Sequence, residues 1–175
     1  TVDLIAAKAE VSKGSIYLYF DSKEEIYTQI LISANIDRHK EWNVFAKQGG
    51  TASEALIAFA HEYVSYFLDN NELFRILMTF MLQAENMNLT DEQNTQLIHT
   101  TNENVHVIAE ILQRGVDSGE FISGMDVRRM QYAVWGLLNG VISLYIYTGV
   151  PERRGERIFT IVHDSLNALI KGIKY

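Results

Sequence analysis

Cysteine is absent from the 175 residues of this chain. That excludes disulfides, thiolate catalysis and cysteine-bound zinc, and it suits a reducing compartment. Proline is nearly absent as well, with Pro151 the only one. The strict apolar–polar alternation of half-buried strands is hard to find. Apolar residues instead recur at helical spacing almost everywhere, so the expected fold class is all-α. The chain begins at Thr1, with neither an initiator Met nor a signal peptide. The expectation is a cytoplasmic protein with an upstream segment missing from the sequence. No Ser/His/Asp or paired-carboxylate arrangement stands out, so neither a catalytic site nor a cofactor is expected.

Surplus positive charge is also lacking. The net charge is −7, which at first argues against nucleic acid as a partner. The charge is unevenly placed. In residues 1–23, Lys8, Lys13 and Lys23 balance Asp3, Glu10 and Asp21, so the acidity belongs to the rest of the chain. With 47% hydrophobic and 21% charged residues, this is an ordinary globular composition with room for one or two small domains.

Turn and cap signals divide the chain into eight expected helices. These run over Val2–Ala9, Lys13–Phe20, Ser22–Ala46, Ala52–Leu68, Glu72–Glu85, Thr90 to the Gly115–Gly119 turn, Asp126–Thr148 and Glu152–Ile173. Ser12 caps the second, Ser22 with Glu25 forms a capping box for the third, and Gly149-Val150-Pro151 breaks the chain before the last. A domain boundary is expected inside the third helix, giving units 1–27 and 28–175. The first two helices are too short to hold a core, which again points to a missing upstream helix.

The densest pattern lies in Ser12-Lys13-Gly14-Ser15-Ile16-Tyr17-Leu18-Tyr19-Phe20. A short helix precedes it and a long one follows, a layout that lets a helix enter a DNA major groove. Ile16 and Phe20, four apart, can face a small core with Val11 and Ile5. Lys13, Ser15, Tyr17 and Tyr19 are left for other faces, and their ammonium and hydroxyl groups suit phosphates and base edges. Gly14 permits close backbone approach to a phosphate. Lys23 opens a helix, a poor place for a cation unless a phosphate sits nearby. The same pattern also fits a capped short helix with a solvated lysine and half-buried tyrosines.

Thr1-Val2-Asp3-Leu4-Ile5-Ala6, the Val11–Phe20 stretch and Ser22-Lys23-Glu24-Glu25-Ile26 together resemble the DNA-binding domain of TetR-family transcriptional repressors. The resemblance is dense over about the first 27 residues. Beyond them it is an outline, carried by helix count, the Gly115–Phe121 turn and Trp135-Gly136-Leu137-Leu138-Asn139-Gly140. It implies that the second helix is the recognition helix. Lys13, Gly14, Ser15, Tyr17, Tyr19 and Lys23 would contact DNA, with Ser12 as the cap and Thr1 on a phosphate. It also implies a homodimer on a palindromic operator and an effector cavity in the C-terminal bundle. One departure is Glu10, where the family often has Gly. A left-handed backbone there would cost a non-glycine residue about 1 kcal/mol.

Met130–Val150 carries no charge and is long enough to span a membrane. Gln131, Asn139, Ser143, Thr148 and two glycines dilute it, so the expectation is a helix buried between its own domain and a partner subunit. Gly136, Gly140 and Leu144 would join Ile158, Val162, Leu166 and Leu169 of the last helix in a four-helix dimer interface. Trp42, Tyr63, Phe67, Met78, Met81 and Trp135 suit a cavity for an apolar or aromatic effector, with His61, Asn104 and Asn139 as polar anchors. His99, Glu103 and His106 share a helix face at metal-ligand spacing, but the second pair that a di-metal enzyme needs is not found, and a solvated face with no metal is expected. The leading expectation is therefore a repressor released by a small-molecule effector. The alternative is a helical ligand-binding protein that has lost DNA binding.

Overall fold

The computed structural model describes residues 1–83, 85, 89–147 and 155–174. Among these it places α1 (Val2–Lys8), α2 (Lys13–Tyr17), α3 (Lys23–Lys47), α4 (Ala52–Asp69), α5 (Asn71–Gln83), α6 (Asp91–Asp117), α7 (Val127–Tyr147) and α8 (Gly155–Ile173). The architecture is all-α. The expected helix end at Thr148, the Gly149–Pro151 break and the expected helix start at Glu152 lie outside the described residues. The one β-like feature described is an isolated antiparallel bridge between Phe121 and Lys174.

Local chemistry sets most helix starts. Thr1 accepts from the Leu4 N–H at the head of α1, and Ser12 accepts from the Ser15 N–H at the head of α2. Thr51 with Glu54, and Thr90 with Gln93, form reciprocal capping boxes for α4 and α6. The expected Ser22–Glu25 box is only half made: Ser22 accepts from the Glu25 N–H, but the Glu25 carboxylate reaches back to the Asp21 N–H at 2.6 Å. The recognition segment also departs from expectation. α2 stops at Tyr17, and Leu18–Phe20 form a turn bonded to Gly14 and Ile16 carbonyls.

Apolar burial falls into two clusters that share α3. Val2, Ala6, Ile16 and Ile26 make the first, with Ile5 and Phe20 against it. The second begins at Leu31 and takes in α4 to α8. Its centre is aromatic: Trp42 lies 5.8 Å from Phe59, 5.0 Å from Tyr63 and 6.3 Å from Phe67 between ring centroids, and Phe67 meets Phe74 at 5.3 Å. Tilted and edge-on rings add to burial itself.

Polar groups fix how the larger cluster closes. Asn35 of α3 donates to Thr100 and Thr101 of α6, and Asn104 donates back to the Asn35 carbonyl. Arg114 donates to the Ala46, Gln48 and Thr51 carbonyls where α3 ends. Glu120 accepts from the Ala52 and Ser53 N–H groups and the Ser53 hydroxyl, so it caps α4 from across the chain. It also pairs with Lys174 at 3.4 Å. Burial works to raise the Glu120 pKa, but these partners outweigh it and hold the carboxyl below its ordinary value. The turn that presents Glu120 has Gly119 at φ +74° and a Phe121 N–H bond to the Gly115 carbonyl. Gly115 itself lies against the Phe121 ring, so a side chain there has no room.

Candidate nucleic-acid interface and effector centre

The head of the molecule (α1, α2 and the first turns of α3, around the smaller cluster) presents its chemistry on an open surface, and α4 to α8 with the rest of α3 form the body. Ile16 points into the small cluster, which leaves Lys13, Gly14 and Tyr17 outward on α2. Tyr17 is 47% exposed, Leu18 81% and Tyr19 80%. Leu18 lies four residues from Gly14, on the same outward side, and no polar signal in the sequence singles it out. Ser15 is half-buried, and its hydroxyl lies 2.8 Å from that of Ser12. Ser12 is therefore engaged as a cap. An open apolar hollow of about 270 Å³ is bordered by Ile5, Ala9, Val11, Ser15, Ile16, Tyr19, Phe20 and Ile26.

Lys13 is not bare. Its Nζ lies 2.9 and 3.0 Å from the two Asp3 carboxylate oxygens. This hydrogen-bonded pair holds the Asp3 pKa below and the Lys13 pKa above their ordinary values. Lys23 is 3.9 Å from Glu24 and lies over the Tyr27 ring at 5.5 Å. Glu10 has φ 55°, so the turn between α1 and α2 does demand the left-handed backbone that a glycine would adopt freely.

The second centre is internal. Tyr63 of α4 accepts a hydrogen bond from Trp135 Nε1 at 3.0 Å and donates to Asn139 Oδ1 at 2.9 Å. Trp135 and Asn139 are four apart on α7, on one side of that helix. Burial pushes the Tyr63 hydroxyl pKa up, against the pull of its two partners, so it stays protonated. Trp42 stands beside Tyr63 and packs on Phe67, with Met78 against the same cluster.

Residues 49–152 match the family model described as tetracyclin repressor-like, C-terminal domain. Residues 1–30 match the model for bacterial regulatory proteins of the tetR family. The chain belongs to the TetR family. It is similar, at 28% identity over 175 residues, to the fatty acid metabolism regulator protein of Bacillus subtilis (strain 168), covering 98% of this chain and 84% of that one. Its fold is similar to that of the transcriptional regulator FadR from Bacillus subtilis, solved in complex with stearoyl-CoA. That likeness has a TM-score of 0.79 at 23% identity, over 99% of this chain and 88% of FadR. PfmR, a TetR-family regulator from Thermus thermophilus, has a TM-score of 0.76 at 22% identity, over 100% and 90%. The chain is thus a DNA-binding transcriptional regulator with a small-molecule-binding domain.

In this TetR-family regulator the structure brings Trp42, Tyr63, Phe67, Trp135 and Asn139 together but not all of the expected set. His61, two residues from Tyr63, falls on the outer side of α4, where it stacks on Phe159 at 4.1 Å. Met81 is 40% exposed, because Leu77 and Phe80 take the inward positions at the end of α5. Asn104 is buried in the α3–α6 seam and bonded to Asn35.

The expected interface stripe on α8 also needs correction. Ile158, Val162 and Leu166 are buried in the chain's own core, because α8 lays that stripe on α4 and α7. Leu169 is half-buried, and the outward apolar residues of α8 are Ile161 and Ala168. On α7, Gly136, Gly140 and Leu144 do face outward, and a side chain at either glycine would meet open space. His99 is exposed, while Glu103 and His106 face His39 and Glu110 at 3.9 and 4.0 Å. Among the described residues no group of three His, Asp or Glu side chains could hold a metal, and no helix is long and apolar enough to cross a membrane.

Proposed function

We propose that this regulator is a homodimeric repressor that binds a palindromic operator and leaves it when a long-chain acyl thioester enters the body. The observation that carries the reading is α3. Its first turns hold the head through Ile26, and Trp42 near its far end stands beside Tyr63 in the aromatic centre. An occupant at that centre acts directly on the helix that carries the head. The relatives supply the ligand class: one similar protein regulates fatty acid metabolism, and a regulator of the same fold holds stearoyl-CoA.

In this reading residues 1–27 are the DNA-binding unit and 28–175 the effector and dimerisation unit. Lys13, Gly14, Tyr17, Tyr19 and Lys23 contact DNA, with Thr1 and Ser15 at its edge and Ser12 as the cap. Leu18 joins them as an apolar partner for a thymine methyl. The outward face of α7 around Gly136, Gly140 and Leu144, with Ile161 and Leu169 of α8, makes the dimer contact. The two glycines let two helices approach closely.

The test is a selection of bound fragments from genomic DNA, followed by titration of the retained site with stearoyl-CoA. Salt-sensitive, sequence-selective binding that stearoyl-CoA abolishes is the expected result. Binding that is absent, or unmoved by any acyl-CoA, would sink the proposal.

A further inference from the structure

The hydrogen bonds around Tyr63 run in one direction. Trp135 Nε1–H donates to the Tyr63 oxygen, and the single Tyr63 proton goes to Asn139 Oδ1. The chain therefore ends on the Asn139 amide N–H groups. Asn139 is 4% exposed, and its Nδ2 is buried with no partner. A second donor is in the same condition: Trp42, 2% exposed and with its ring 5.0 Å from that of Tyr63, has a buried Nε1 with no partner. Two unpaired donors thus belong to residues that touch Tyr63, Asn139 through its hydroxyl and Trp42 through its ring, inside an aromatic core. Buried N–H groups are rarely left so, because each has given up water and received nothing.

The buried atoms that lack a donor lie elsewhere. Asn43 Oδ1 and Asn104 Oδ1 belong to the stripe on which Asn35 and His39 meet α6, and Gln131 Oε1 is two turns along α7 from Asn139. At the Tyr63 centre the atoms left with no partner at all are donors, while the Tyr63 oxygen and Asn139 Oδ1 each already accept one bond. The centre is also without a free charge: the buried polar residues described are Thr, Ser, Asn and Gln, and Arg38, over the Tyr66 ring beside Trp42, is already paired with Glu41.

We infer that Trp42 Nε1 and Asn139 Nδ2 bind the neutral carbonyl oxygen of an acyl ligand, the thioester C=O, with the alkyl chain along the Trp42–Phe59–Phe67 rings. This rests on the acyl-effector reading above and adds which atom of the ligand is recognised. A carbonyl oxygen has two lone pairs and no proton, which matches two donors. A water molecule could accept the same two bonds, and the thioether comparison below separates it from a carbonyl. A carboxylate would bring an unpaired charge into a neutral interior. The centre therefore distinguishes an acyl thioester from the free fatty acid of the same length.

Three ligands test this on the full-length dimer: stearoyl-CoA, its S-octadecyl thioether, which has no carbonyl, and stearate. Stearoyl-CoA is expected to bind about tenfold or more tightly than either of the others, the worth of a good hydrogen bond. Its 13C-labelled carbonyl stretch should shift to lower frequency on binding. Trp42→Phe and Asn139→Leu should each weaken stearoyl-CoA by about tenfold more than they weaken the thioether. The ligand series in the unmutated protein decides the question even if a variant folds poorly. Equal binding of thioester and thioether, or tighter binding of stearate, would overturn the carbonyl assignment and leave the acyl-effector reading standing. Failure of all three to bind would overturn both.

Discussion

The head and the body of this protein bury apolar surface on very different scales. Four buried side chains and two partly buried ones hold the head, whereas the described part of the body closes over twenty-eight. The head leaves Leu4, Tyr17, Leu18 and Tyr19 on its surface, and the body gathers most of its aromatic rings inward, with Tyr132 an exposed exception. The difference follows from what each must touch. A DNA-reading surface needs side chains standing free of their own fold, so little remains to stabilise it. An effector domain needs an interior, and burial supplies stability as a by-product. The head is accordingly expected to open locally at a lower free energy than the body.

Substitutions can break that contrast or sharpen it. The largest effect is expected from Phe59→Ala, which empties the centre of the aromatic cluster. It should cost about 3–5 kcal/mol in denaturant unfolding, with body amides losing their exchange protection together. Glu120→Gln should cost about 1 kcal/mol, because it weakens the cap on α4. Its pH dependence is also defined. The Glu120 pKa is held down in the folded state, so its stabilisation is complete above the ordinary glutamate pKa and is lost as pH falls through the lower native value. Wild type and variant should therefore converge in acid; a gap that stays constant from neutral pH to acid would contradict the capping role. Glu10→Gly should stabilise the head by about 1 kcal/mol by relieving the left-handed backbone, visible as slower exchange in α1 and α2 with no change in α4. Lys13→Ala is expected to leave the melting temperature alone. It should weaken binding to every DNA sequence and reduce the salt slope by about one, because one phosphate contact is gone. Asp3→Asn tests the same contact from the other side: it frees Lys13 and should tighten binding.

What the sequence made legible was local. Ser12, and Thr90 with Gln93, mark helix starts because the capping partners lie within three residues. Glu10 stood out as a strained turn through the family resemblance, because Gly is usual at that position. Interactions across the chain were not legible in that way. Glu120 caps a helix 68 residues away, and nothing beside it in the sequence announces that. Periodicity showed that α8 has an apolar stripe but not which neighbour covers it, so Ile158, Val162 and Leu166 read as an interface when they belong to the core. In the effector centre the residue types Tyr63, Trp135 and Asn139 could be picked out. Their one-way hydrogen-bond order, and the two donors it leaves over, exist only once α4 and α7 are side by side.

The length of α3 has a geometric consequence. Ile26 and Trp42 are sixteen residues apart on one unbroken helix, about 24 Å at the usual rise. Pivoting that rod by about 5° at Trp42 moves the Ile26 end by about 2 Å. In the proposed dimer the two ends move in opposite senses, so the distance between heads changes by about 4 Å, slightly more than one base-pair step of B-DNA. A rearrangement no larger than a shifted side chain at Trp42 is then enough to put two recognition surfaces out of phase with their grooves.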